Sequence, residues 1–344
     1  MKLLFITQKV DKDDDILGVY HRWIEELAGH FEKIKVICLY QGRTELPANV
    51  EVYSLGKESG KSRLKYLFRF YKYLFSSGGY DKVFVHMNPE YVLLGGLFWK
   101  LLKKKIFFWY NHPMGGLKAR IAIGLADLVF HTSPFAFAAR YKKSKIMPVG
   151  VDTELFRFIP AIKKKLRSIL YLGRISPIKN LEVLIEAALL LDNQGEEFQL
   201  SIIGNPSKKS EISYAEKIKN LAEPLVKKNK VVFWDAIPNY KVPEIYNAHV
   251  ISVNMTPSGS FDKTIIEAMA CGVLTLVSNR FFEEILPPEL FFKENDANDL
   301  LAKLSSALLL SSESKLALAG RLRQYALRHD LSSLVLSVVK AVKY

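Results

Sequence analysis

Cysteine is scarce: the 344-residue chain has two, Cys38 and Cys271, each in an apolar run and neither at metal-ligand spacing. That excludes a disulfide framework and a cysteine metal site, and it fits a reducing compartment. No apolar run is long enough to span a bilayer, because the most apolar stretch, Tyr91 to Tyr110, is broken by Lys100 and by Lys103-Lys104-Lys105. The opening Met1-Lys2-Leu3-Leu4-Phe5-Ile6-Thr7 turns polar too soon for a secretory leader and reads as a buried strand, so a cytoplasmic location is expected. Short-period repeats and low-complexity segments are lacking. Acidic residues are also outnumbered, 35 against 49 Lys and Arg, for a formal net charge of +14. The excess is +9 in residues 1–155 and +5 in the remainder, which favours nucleotide phosphates, anionic lipid head groups or nucleic acid as partners. Nucleic acid has only the charge in its favour, with no recognition motif, and is not expected.

Short β-rich runs do recur, alternating with helix-period segments, which is the signature of a parallel sheet covered on both faces. Strands are expected at 3–7, 35–39, 50–54, 82–86, 106–110, 128–131 and 145–148, with helical patterns such as 19–30 and 63–75 between them. The pattern then restarts at Ser168-Ile169-Leu170-Tyr171-Leu172-Gly173, a strand and turn, with further strands at 199–203, 231–234, 250–254 and 274–277. Two doubly wound domains follow, residues 1–155 and 156–328, joined where Pro160 and Lys163-Lys164-Lys165 interrupt periodicity. A last helix, within 329–344, is expected to return to the N-terminal domain. Two facing domains of this kind leave a cleft at the carboxyl ends of their strands, where open α/β sheets bind ligands.

The segment Thr256 to Gly272 puts a small-residue loop, with Gly259 and Ser260, directly before a short helix. Backbone N–H groups and the positive helix end converge there on a place for an anion. Glu267, in the first turn, suits hydroxyl recognition, as on a ribose, because a carboxylate repels phosphate. An ordinary surface loop with Asp262 as N-cap and Gly272 as helix stop explains the same residues. Arg174 and Lys179 follow the first strand of the second domain, where two cations can neutralise a departing diphosphate; as solvated loop cations they need no ligand.

Together Gly173-Arg174 with Lys179, the block Glu267-Ala268-Met269-Ala270-Cys271-Gly272, Ala126-Asp127-Leu128-Val129 with Ser133, and Val149-Gly150-Val151-Asp152-Thr153-Glu154-Leu155-Phe156 resemble the retaining glycosyltransferases of family 4. The resemblance implies the GT-B fold, two facing Rossmann-like doubly wound domains with an interdomain cleft. It further implies an enzyme moving a sugar, with retention, from a nucleoside diphosphate sugar to a hydroxyl of a glycan or lipid-linked acceptor. A catalytically degenerate nucleotide-sugar-binding protein of the same fold is the alternative. By the resemblance Arg174 and Lys179 contact the donor diphosphate and Glu267 the ribose, while the backbone from Phe261 through Asp262 and Lys263 to Thr264 holds sugar and phosphate. Gly259 stands where the family has a partner glutamate, and Asp262 where a glycine is usual. His112, in Asn111-His112-Pro113, takes the place of a histidine that reaches the donor sugar; as a residue it equally caps a strand. His86 is a second candidate by the same position. Gly18 matches the second of the family's paired glycines, and Leu17 replaces the first.

Asp11, Asp13, Asp14 and Asp15 contain two Asp-x-Asp patterns but lie far in sequence from the phosphate cations, and the family generally needs no metal. No metal site and no cofactor beyond the donor substrate are expected. In the helix 63–75, Leu64, Leu67, Phe68, Tyr71 and Phe75 form a stripe expected to pack on the first sheet, leaving a solvated basic face. Peripheral docking of this basic helix on the inner face of an anionic membrane is the other reading.

Overall fold

Each apolar run read as a strand forms one, and every pairing is parallel. The computed structural model describes residues 1–60, 62–75, 79–258 and 261–343, which fall into two α/β units. In the first unit seven strands, β1 (Lys2–Val10), β2 (Lys33–Gln41), β3 (Val50–Ser54), β4 (Lys82–His86), β5 (Lys105–Trp109), β6 (Leu128–His131) and β7 (Ser144–Ile146), lie in the order β3-β2-β1-β4-β5-β6-β7. Leu3, Leu4, Phe5 and Ile6 of β1 are all completely buried, as strands covered on both faces must be. The register sets Leu3 against Ile34 on one side and Lys82 on the other.

Helix α1 (Val19–Ala28) covers one face through Trp23, Ile24 and Leu27. Helices α2 (Arg63–Phe75), α3 (Pro89–Leu101) and α4 (Leu117–Leu125) cover the other. Helix α2 does not pack by the expected stripe. It buries Phe70 and Leu74, while Leu64 is 80% and Phe68 72% exposed and Phe75 also faces outward. Apolar and aromatic residues run around most of this helix, so periodicity alone does not single out the inward face. Leu97 and Leu101 of α3 and Leu117 and Ile121 of α4 are likewise exposed. The outer surface of this helix layer is therefore unusually apolar, with Arg63, Lys65, Lys72, Lys118 and Arg120 interspersed and exposed.

The second unit has five strands, β8 (Ser168–Leu172), β9 (Gln199–Ile203), β10 (Val231–Trp234), β11 (Ile251–Asn254) and β12 (Leu274–Val277), in the order β10-β9-β8-β11-β12. Its helices are α5 (Leu181–Asn193), α6 (Ile212–Lys227), α7 (Val242–Ala248), α8 (Lys263–Ala270), α9 (Ala297–Leu309) and α10 (Ser312–Leu327). The chain winds outward from β8 through β9 to β10 and then returns to lay β11 on the other side of β8. This reversal makes the carboxyl ends of β8 and β11 the switch point, where the connecting loops diverge and leave a crevice.

The division falls at Gly150/Val151 and Asp330/Leu331, beside the positions 155/156 and 328/329 placed from the sequence. Val151 forms a parallel bridge with Asp330, Thr153 Oγ1 donates to Asp330 Oδ1 at 2.6 Å, and Phe156 packs on Tyr246. Those contacts tie residues 151–156 to the second unit. The final helix, α11 (Leu331–Lys343), belongs to the first unit: Leu334, Val335 and Val338 enter the α1 face of its core.

Gly150 occupies a tight place in that core. Its φ is +73°, its carbonyl accepts from Trp23 Nε1 at 3.1 Å, and a Cβ there would lie 2.2 Å from Leu334 Cδ2. Gly150→Ala is accordingly expected to destabilise the first unit by about 2 kcal/mol or more, through left-handed strain plus displacement of α11. Thermal unfolding followed by near-ultraviolet dichroism of Trp23 and its neighbours checks this; an unchanged midpoint contradicts it.

Candidate functional site

The loop after β8 turns at Gly173, whose φ is +151°. It presses against the loop after β9 so closely that a Cβ on Gly204 would lie 2.0 Å from the Gly173 carbonyl oxygen. Tyr171 Oη donates to the Arg174 carbonyl at 2.7 Å and fixes the next residue's direction. The Arg174 guanidinium then leans over the β9 loop and donates to Ser207 Oγ at 3.3 Å. Ser207 is itself held by Glu211, which accepts from both its amide and its hydroxyl at 2.9 Å.

Lys179 leaves the same loop in the other direction, toward the residues that follow β11. Its ammonium donates to Thr256 Oγ1 at 2.9 Å and pairs with the Asp262 carboxylate, both side chains being about 14% exposed. Asp262 also accepts from Asn254 Nδ2 at 3.1 Å and Thr256 Oγ1 at 2.9 Å, and caps α8 by accepting from the Thr264 amide at 3.3 Å. Burial alone would raise the Asp262 pKa. The Lys179 charge and this set of donors outweigh burial and hold the carboxyl well below the usual range. The basic residue and the helix start read from the sequence thus meet, but through a neutralised ion pair.

One turn into α8, Glu267 is 4% exposed and accepts from Asn239 Nδ2 at 3.4 Å. Burial pushes its pKa up to about 7, with Lys263 opposing and the Asp262 charge adding to the rise. Lys263, four residues earlier, is pushed down to about 7, again by burial, against the pull of Glu267. Burial thus opposes the charge on both groups, and a ligand carrying complementary groups favours their charged forms. An anionic group for the two ammoniums and hydroxyls for Glu267 are the ligand features this set complements.

Gly259 and Ser260 lie outside the described residues. The Phe261 side chain is buried among Phe281, Phe282 and His329, with ring centroids 5.0, 5.3 and 5.8 Å away, so anything it offers a ligand is backbone. In the first unit Gly18 is required by the protein itself, since a Cβ would lie 2.4 Å from the Asp14 carbonyl oxygen. His112 is exposed at the carboxyl end of β5, its Nδ1 2.8 Å from the Met114 carbonyl. His86 is buried, Nδ1 3.2 Å from Thr7 Oγ1 and its ring against Tyr20. Asp11 and Asp14 both pair with Lys9, Asp13 pairs with Arg43 at 3.5 Å, and Asp14 Oδ1 accepts from the Ile16 amide, so three of the four aspartates are engaged within the protein. Among the described residues no group of three His, Cys, Asp or Glu has the arrangement of a metal site.

Asn254, Asn239 and Ser207 were not singled out from the sequence, and Thr256 entered only as the first residue of the loop before α8. Asn254 carried a legible signal, a polar residue ending an otherwise apolar strand at the switch point. Asn239 comes from a distant loop and has none.

Comparison with known proteins bears on this arrangement. The family model described as glycosyl transferases group 1 matches residues 152–327. A D-inositol 3-phosphate glycosyltransferase of Acidothermus cellulolyticus is 28% identical over 148 residues, which are 40% of this chain and 33% of that protein. A mannosylfructose-phosphate synthase of Agrobacterium fabrum is 26% identical over 172 residues, 44% of this chain and 37% of that one. The chain thus matches little more than a third of the length of these relatives. Among solved structures, Anabaena Alr3699/HepE in complex with UDP and glucose superposes with a TM-score of 0.78 at 17% identity, covering 100% of this chain and 99% of that one. Sucrose-phosphate synthase from Thermosynechococcus elongatus gives 0.75 at 17%, covering 100% and 98%. These likenesses show that the fold is GT-B.

Proposed function

Because the chain belongs to the glycosyl transferases group 1, we propose that it transfers a sugar from a nucleoside diphosphate sugar to a hydroxyl of a glycan or lipid-linked acceptor, retaining the anomeric configuration and using no metal. One observation carries the reading: Lys179, Asp262, Lys263 and Glu267 gather at the carboxyl ends of β8 and β11. A diphosphate entering there takes the place of Asp262 as partner of Lys179, and its charge keeps Lys263 protonated. A ribose diol gives the ionised Glu267 two donors. In support, Alr3699/HepE was solved with UDP and with UDP-glucose.

In the proposed reaction the bond from the anomeric carbon to the leaving phosphate oxygen breaks as the acceptor oxygen bonds to that carbon. The acceptor proton passes to the departing phosphate oxygen, and Lys179 and Arg174 stabilise the charge on the diphosphate. His112 keeps the part implied by the resemblance, contact with the donor sugar.

Calorimetric titration with UDP-, GDP- and ADP-sugars tests this. One of them is expected to bind saturably, with Arg174→Ala and Glu267→Ala each weakening it roughly tenfold or more. If no donor binds, or if both variants bind as well as the parent, the assignment fails. The pairing of Lys179 with Asp262 favours a second reading, a protein that keeps the pocket without transfer. Saturable donor binding with no turnover against a panel of acceptors is its signature.

No helix among the described residues is long and apolar enough to cross a membrane. The exposed Leu64, Phe68, Leu97, Leu101 and Leu117, set among lysines and arginines, instead suit an interfacial contact with an anionic bilayer. We propose that this face brings the enzyme to a lipid-linked acceptor. Sedimentation with phosphatidylglycerol vesicles is expected to capture the protein, and Phe68→Ser with Leu101→Ser to reduce capture about tenfold. Equal capture by neutral vesicles counts against it.

A further inference from the structure

The far end of the second sheet holds another cavity, of about 590 Å³, within the size range of small-molecule sites. Leu166 and Arg167 precede β8, Val250 precedes β11 and Leu274 opens β12, so the cavity lies at the amino ends of the strands whose carboxyl ends carry the Lys179 cluster. It shares no residue with that cluster.

Its walls and rim differ in kind. Leu274 and Leu308 are buried in the walls beside Phe158, and Ala319 of α10 closes one side. Gly272, at φ +70°, keeps this space open: a Cβ there would already lie 3.3 Å from the Phe158 ring. At the mouth Leu166 is 89% and Leu316 67% exposed. Four cations, Lys164, Arg167, Lys315 and Arg323, line the same cavity, and no carboxylate does.

Three of these cations have no acidic partner among the described residues. Lys164 Nζ donates to the His249 carbonyl at 2.8 Å and Lys315 Nζ to the Leu308 carbonyl at 2.9 Å. An ammonium has three donors, so each keeps donors for something else. Arg323 forms no ion pair there, whereas Arg167 is held by Glu196 at 3.0 Å. Burial lowers the pKa of Lys164 and of Lys315, the latter helped by the Arg167 charge. An anion in the cavity reverses that cost. An apolar ligand alone would leave the cations unanswered, and a free phosphate would leave the apolar walls unused.

We propose that this cavity binds a single-chain anionic amphiphile, its tail against Phe158, Leu274 and Leu308 and its head group on Lys164, Lys315 and Arg323.

The test is calorimetric titration of the full chain with dodecyl phosphate below its micelle concentration, with dodecyltrimethylammonium and inorganic phosphate as separate arms. Dodecyl phosphate is expected to bind at one equivalent, at least tenfold tighter than either. Arg323→Glu combined with Lys315→Glu is expected to weaken it at least tenfold, and Leu316→Asp, at an exposed position that leaves the core intact, to weaken it severalfold. Circular dichroism of each variant verifies folding. Equal affinity for the cationic amphiphile overturns the proposal. So does dodecyl phosphate binding that survives these variants but is lost in Phe68→Ser on the other unit, because the amphiphile is then held elsewhere.

Discussion

Asp262→Asn is expected to raise affinity for a nucleoside diphosphate about tenfold while lowering the melting temperature of the empty protein. In the empty site Lys179 is already matched by Asp262, so an entering diphosphate competes with a carboxylate for the same ammonium. Removing that charge removes the competitor. It also leaves Lys179 enclosed without a counter-ion, which destabilises by about 3 kcal/mol for a pair this buried. The bound phosphate restores the counter-ion, so the ligand-induced rise in melting temperature is larger in the variant than in the parent. Lys179→Ala behaves oppositely: Asp262 stays charged and unpaired, stability falls by a similar amount, and the diphosphate finds no ammonium. UDP titration and thermal unfolding with and without UDP measure both variants. Because the two residues form one unit, the double variant is expected to be less destabilised than the sum of the singles. Weaker binding by Asp262→Asn shows instead that the carboxylate itself contacts the ligand.

This pair also marks where sequence reading stops. All twelve strands among the described residues were legible, because parallel strands buried on both faces are short β-branched runs such as Ile34 to Leu39 that little else explains. The carboxyl ends of the strands followed from those runs, and with them the prominence of Arg174 and Lys179, whereas the reversal of strand order beside β8 did not. Direction of the side chains was not legible. Arg174 and Lys179 are five residues apart in one loop, yet one turns toward Ser207 and the other toward Asp262. That choice depends on Gly204 and Tyr171 holding the loop's backbone. The α2 face failed for a related reason. A helix apolar around most of its circumference has no inward side until its neighbours are known, and Phe70 and Leu74 face inward because Tyr91 and Trp99 of α3 share their core.

Glu267→Gln is expected to stabilise the empty protein at pH 8 while weakening donor binding roughly tenfold to a hundredfold, the loss of hydrogen bonds to a charged acceptor. The folded pKa of Glu267 is raised from 4.5 to about 7. Below the unfolded value the carboxyl is protonated in both states and costs nothing extra. As pH rises above 4.5 the unfolded chain releases its proton while the folded one keeps it, so stability drains away until the folded value, and the loss is complete above about pH 7. Lys263 has the reverse profile, because its folded pKa is lowered from 10.5 to about 7. Its penalty is full below pH 7 and fades as pH rises toward 10.5. The two windows meet near neutrality, where the empty site is least stable and where a diphosphate and a ribose relieve both strains together. Glutamine removes the Glu267 window, a gain of about 3 kcal/mol at pH 8, where the lowered Lys263 pKa leaves little ammonium charge to be matched. Donor affinity of the parent should correspondingly peak near neutral pH, falling on the acid side as Glu267 gains a proton and on the basic side as Lys263 loses one. Melting temperatures of parent and variant from pH 5 to 9, with donor affinities at the same values, separate the two effects. A variant that melts lower than the parent at pH 8 would mean that the ionised Glu267 is held by the fold rather than kept for a ligand.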